Sequence, residues 1–138
     1  MGRVVCFDFG SKRIGVAVTD ELQIISTPLE TISTSEIHNF IHKYISENEV
    51  ELFVVGLPLN LKGEKTDSTD ITKSFINTLK KKYPSIPTET YDERLTSKIA
   101  RESILAMGKN KKFRRDKTNI DKISASLILQ SYLKRKNI

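Results

Sequence analysis

The chain has 138 residues, 38% of them hydrophobic, and sets 23 Lys and Arg against 17 Asp and Glu for a formal charge of +6. That length suits one domain, residues 1–138, with a core that needs no metal or disulfide staple, and a single cysteine excludes a disulfide framework. No run approaches membrane-spanning length and no signal-peptide pattern opens the chain, so a cytoplasmic setting without membrane contact is expected, while the basic balance favours a polyanionic partner.

RVVCFDF (Arg3 to Phe9) reads as a strand, GSKR as a turn and IGVAVTD as a second strand, with hairpin spacing. LQIISTPLETI (Leu22 to Ile32) predicts a third strand after a short Asp20-Glu21 turn. Ser33 to Ser35 offer N-caps for a helix whose Ile37, Phe40, Ile41, Tyr44 and Ile45 share one face. LFVVGLP (Leu52 to Pro58) is a continuous apolar strand of the kind buried on both faces of a parallel sheet. After a polar loop comes a helix with Ile71, Phe75, Ile76 and Leu79 inward, then Pro84 and Pro87, then a short strand, TETYDE. Thr96 caps a further helix that stops at Gly108, and a last helix runs from about Ile120 to Leu133. The order implies an α/β domain: a five-stranded mixed sheet, three antiparallel strands and then parallel ones, with helices on both faces.

Asp8 stands in the first strand among Val, Cys and Phe. A mid-strand acid has little structural reason to be there, because Asp is poor in strands and costly to bury without a partner. Asp92 and Glu93 end the last strand, one toward each face. Asp121 opens the last helix, on the side carrying Ser124, Ala125, Ile128 and Tyr132. From position alone Asp121 reads as a helix-dipole or capping residue, and Asp92 before Arg94 as a surface ion pair. Were three carboxylates to converge, only a cation could keep them all ionised cheaply, and hard Mg²⁺ or Mn²⁺ takes such oxygen ligands. Gly10 and Gly15 flank SKRI and allow a tight turn, a bulge or close approach of backbone to a phosphate, with Lys12 and Arg13 as phosphate contacts.

Together, DFGSKRIGVAVTD, VVGLPLNLKG, DERLTS and DKISASLILQSYL resemble, in order and spacing, the motifs of the YqgF (RuvX) family of pre-16S ribosomal RNA nucleases. The resemblance covers nearly the whole chain. It implies an RNase H-like fold related to Holliday-junction resolvases of the RuvC type. By motif, Asp8, Glu93 and Asp121 correspond to the family's metal-binding, catalytic acids. Lys12, Arg13, Asn60 and Arg94 fall at motif positions expected to meet nucleic acid, and Gly10, Gly15, Gly56, Pro58 and Thr96 at positions that shape the site. The implied activity is hydrolytic removal of extra nucleotides at the 5′ end of precursor 16S rRNA, with Mg²⁺ or Mn²⁺ as cofactor and the RNA, on or off the ribosomal particle, as partner. Between Asp92 and Glu93, the resemblance favours Glu93 as the metal-facing residue.

KNKKFRRDK (Lys109 to Lys117) leads into Asp121, and its Lys111, Lys112, Arg114 and Arg115 are expected to hold substrate phosphates, with Phe113 stacking a base or anchoring the loop. The bland alternative is a solvated loop. His38 and His42 have the i, i+4 spacing of zinc ligands but lack a third ligand, so a solvated helix face is expected. Competing readings of the whole are a resolvase of structured DNA, a non-catalytic RNA-binding module, and an actin-like ATP-handling protein. The last needs two such domains, and the chain has one.

Overall fold

In the computed structural model, residues 2–10, 12–57, 67–92 and 117–136 are described. Five strands, β1 (Arg3–Phe9), β2 (Arg13–Thr19), β3 (Ser26–Ser33), β4 (Val50–Leu57) and β5 (Thr88–Asp92), form one sheet in the order β3-β2-β1-β4-β5. β1 to β3 are antiparallel neighbours, and β4 and β5 run parallel to β1. The mixed sheet with β1 at its centre is therefore as the element order implied.

Period-two alternation divides the side chains between two cores. Val5, Phe7, Phe9, Ile14, Val16, Phe53 and Val55 pack on helices α1 (Ile37–Glu47) and α2 (Asp67–Lys82). Val4, Cys6, Ala17, Leu52 and Val54 point the other way, onto α3 (Lys117–Lys136) through Ala125, Ile128, Leu129 and Leu133. The apolar stripe of α1 is the expected one, Ile37 and Ile41 being buried with Phe40, Tyr44 and Ile45 against the same core. Phe75 anchors α2: its ring stacks on Phe9 at 4.8 Å and meets Phe7 edge-on at 5.5 Å.

The structure corrects four sequence-based expectations. β3 begins at Ser26, not Leu22, because the Asp20 carboxylate accepts the backbone N–H groups of Ile24 and Ile25 at 2.8 Å each and bends the chain away from the sheet. Leu22, Ile24 and Ile25 are left 63–67% exposed. No serine caps α1, since a 3-10 turn over Thr34–Glu36 precedes it and neither turn nor helix has a side-chain cap. Ile71 is 44% exposed, and Thr69 and Thr72 are buried instead. The stripe through Phe75, Ile76 and Leu79 continues back to Thr72, and a neighbouring residue is turned about 100° from it. Finally, His38 is not on a solvated face: its ring lies 5.9 Å from that of Phe75, while His42 is exposed.

β3 is an edge strand that contains Pro28. Val16 pairs with Glu30 and Ala17 with Pro28, so Leu29 is the extra residue of a bulge. Among the described residues no helix is long and apolar enough to cross a membrane, and Cys6 is buried as a small core side chain.

Candidate active site

The hairpin that carries Asp8 is closed by a two-residue turn. Gly10 donates its N–H to the Arg13 carbonyl at 2.9 Å, and a β-carbon on Gly10 would lie 2.6 Å from that oxygen, so the tight-turn reading holds there. Thr34 braces the turn: its N–H bonds the Lys12 carbonyl at 3.0 Å and its hydroxyl the Gly10 carbonyl at 3.3 Å. The Lys12 side chain is exposed on this fixed loop.

A turn this short fixes the register, placing Asp8 opposite Gly15 on β2, and β4 sets Gly56 on its other side. Gly56 pairs in turn with Tyr91 on β5. Gly15, Asp8, Gly56 and Tyr91 form one row across four strands, on the face that carries Cys6, Ala17 and α3. Asp8 is half-buried at the carboxyl end of the central strand, and its cross-strand neighbours present no side chain that would crowd it.

Gly15 brings the second acid in. A β-carbon there would sit 2.1 Å from the Asp121 carbonyl oxygen and 2.4 Å from its carbon. The close backbone approach expected at Gly15 is thus made by α3 rather than by a phosphate. Buried Ser124 and Ala125 on the next turn keep the helix low over the sheet. α3 starts at Lys117, one turn before Asp121, and has no acid in its first turn. Asp121 is therefore not a cap, and the helix-dipole account of it fails. Its carboxylate accepts a hydrogen bond from Arg13 Nε at 3.1 Å, with the two side chains 38% and 28% exposed. Arg13, read as a phosphate contact, is thus also the counter-ion of Asp121, and no residue pattern pointed to that pairing.

Tyr91 packs into the α3-side core, so Asp92, the next residue on the strand, faces away from Asp8. Glu93, Arg94, Pro58, Asn60, Thr96, Lys111, Lys112, Phe113, Arg114 and Arg115 lie outside the described residues. Among the described residues no three acidic, His or Cys side chains gather as a metal cluster, and His38 and His42 form none.

Helices on both faces of a sheet ordered β3-β2-β1-β4-β5, with an acid near the end of its central strand, define the fold class as RNase H-like. The chain belongs to the RuvX family, whose model, described as Holliday junction resolvase, matches residues 2–135. A relative in Phocaeicola vulgatus is 44% identical over 136 residues, covering 99% of this chain and 98% of that one, and bears the provisional name pre-16S rRNA nuclease. One in Bacteroides thetaiotaomicron, named likewise, is 42% identical over 136 residues and 99% of both chains. Among solved structures, T. thermophilus RuvC in complex with a Holliday junction substrate matches with a TM-score of 0.59 at 15% identity, over 99% of this chain and 96% of that one. That likeness is one of fold.

Proposed function

We propose that the chain is a divalent-metal-dependent nuclease that acts on RNA and trims the 5′ end of precursor 16S rRNA. The observation that carries this reading is the placement of Asp8 between two glycines, on the face where the backbone of Asp121 touches Gly15. The donor set fits a hard cation: two carboxylates from separate elements, Asp8 being flanked by glycines on both neighbouring strands, and an opposing charge already drawn to Asp121 in Arg13. Asp92 faces away from this row, which leaves Glu93 as the third acid the resemblance assigns.

Asp8, Asp121 and Glu93 would hold Mg²⁺ or Mn²⁺, which supplies an activated water and charge neutralisation at the scissile phosphate. The residues do the rest. Asp8 is rigid because its strand is hydrogen-bonded on both sides. Arg13 uses Nε on Asp121, so its terminal nitrogens stay available for a phosphate while the acid is oriented. Lys12, on the braced turn, adds a second cation there, and Asn60, Arg94 and the basic run Lys111, Lys112, Arg114 and Arg115 extend the nucleic-acid contacts.

The test is Asp8→Asn, which removes a charge and almost no volume. Cleavage of a precursor 16S rRNA 5′ fragment should fall at least about a thousandfold, with RNA affinity within about twofold of wild type and an unchanged circular dichroism spectrum. Equal cleavage by purified mutant and wild type overturns the nuclease reading in favour of an RNA-binding module. Cleavage of a four-way DNA junction, and not of the RNA, would support the resolvase alternative, which the family model's description favours.

A further inference from the structure

Across the sheet from Asp121, a groove of about 370 Å³ opens between edge strand β5 and the last turns of α3. Its walls are Glu89, Thr90, Tyr91, Tyr132, Arg135 and Lys136. We propose that this groove is a second nucleic-acid subsite, which holds single-stranded RNA leading away from Asp8. The proposal rests on the nuclease reading above for its direction, while its chemistry is independent of it.

Three observations converge. First, the lining pairs two phenol rings with two exposed cations, the combination that binds single strands by stacking bases and tracking phosphates. Second, the one acid in the groove is engaged. Tyr132 donates its hydroxyl to the Glu89 carboxylate at 2.6 Å, which fixes the ring and blunts the charge that would repel a phosphate. Burial, and then Glu89 itself, push the Tyr132 phenol well above its usual range, so it stays a donor. Third, the groove is connected to the acids. Tyr91 shares its cross-strand row with Asp8, and only Gly56 stands between them. Two inter-strand spacings, about 10 Å, separate the two positions, with no intervening side chain on that row among the described residues. Cations in the last turn of a helix also suit its dipole, but that accounts for neither the tyrosines nor the groove.

The experiment measures binding of a fluorescein-labelled decauridylate to the full chain without metal, by anisotropy at several salt concentrations. Arg135→Gln with Lys136→Gln changes only exposed side chains. It should weaken binding about tenfold and flatten the log-affinity against log-salt slope by about 0.7 for each phosphate no longer neutralised. Tyr132→Phe keeps the ring but releases the Glu89 carboxylate and should weaken binding a few-fold, whereas Tyr132→Ala, which also removes the stacking surface, should lose about tenfold. If Tyr132→Ala does not fold, the double glutamine variant decides alone. Unchanged affinity and salt slope in that variant, or no measurable binding by wild type, overturns the subsite. The two readings fail separately: loss of binding in the groove variants together with undiminished cleavage by Asp8→Asn would keep the subsite and remove the nuclease assignment.

Discussion

Gly15 is where one missing atom decides the geometry of the site. Its neighbour across the gap is helix backbone, not the end of a flexible side chain, so Gly15→Ala can be accommodated only by lifting α3 off β2. The substitution should cost about 3 kcal/mol in urea unfolding, at the upper end for overpacking, and should abolish cleavage even where the protein remains folded. A loss below about 0.5 kcal/mol would mean that the helix does not pass so close. His38 offers a pH test. Partial burial, and then the positive charge of Lys82, hold its imidazole below the usual range, and its Nδ1 has no hydrogen-bond partner among the described residues. Unfolded histidine takes up a proton near pH 6.5. Just below that pH the unfolded chain binds more protons than the folded one, so stability rises with pH there and is lost on acidification. The ring is partly exposed, so the effect is modest. His38→Leu should flatten the fall in Tm between about pH 7 and pH 5, and parallel curves for the two proteins would exclude His38 as a contributor.

Among the elements, α2 depends most visibly on one side chain. Phe75→Ala removes the ring that meets both Phe7 and Phe9 and should cost about 3–5 kcal/mol, measured by chemical denaturation. Phe7 and Phe9 alternate with Asp8, so the same loss would loosen the strand from the face opposite the acid. Strands β1, β2 and β4 were legible because their signals are local: a short turn opening on Gly10 separates two apolar runs at hairpin spacing, and an unbroken apolar run marks a strand buried on both faces. Asp8 was legible for the same reason, as an acid where local propensity offers no cause for one. The start of β3 was hidden because Asp20 competes with the sheet for the N–H groups of Ile24 and Ile25, which hydrophobicity cannot register. The beginning of α3 was hidden too: Asp121 has the look of a helix-opening residue yet lies a turn inside. What no period or motif encodes is long-range pairing. Arg13 with Asp121 and Tyr132 with Glu89 join residues 108 and 43 positions apart, and only the packing of α3 on the sheet brings them together.

For the whole molecule, the division of labour between sheet faces follows from one alternation. α1 and α2 close the face that carries Phe7 and Phe9, while α3 covers the face that carries Asp8 and contributes Asp121 to it. The larger of the two cores and the candidate site thus lie on opposite sides of one sheet, which lets substitutions such as Phe75→Ala be separated from site substitutions such as Asp8→Asn. The rim of the same sheet matters for behaviour in concentrated solution. β3 leaves one side of an eight-residue strand unpaired among the described residues, a template on which another chain could be added. Pro28 withholds an N–H at that rim, Leu29 bulges out of register and Glu30 adds charge, so a stacked copy would meet a broken ladder. Pro28→Val restores the missing donor and should shorten the lag before fibrillar aggregation severalfold under agitation, as followed by light scattering; an unchanged lag would show that the bulge alone suffices. The irregularity in β3 would then act as a brake on polymerisation, keeping a small basic protein dispersed even where it accumulates along a crowded polyanion.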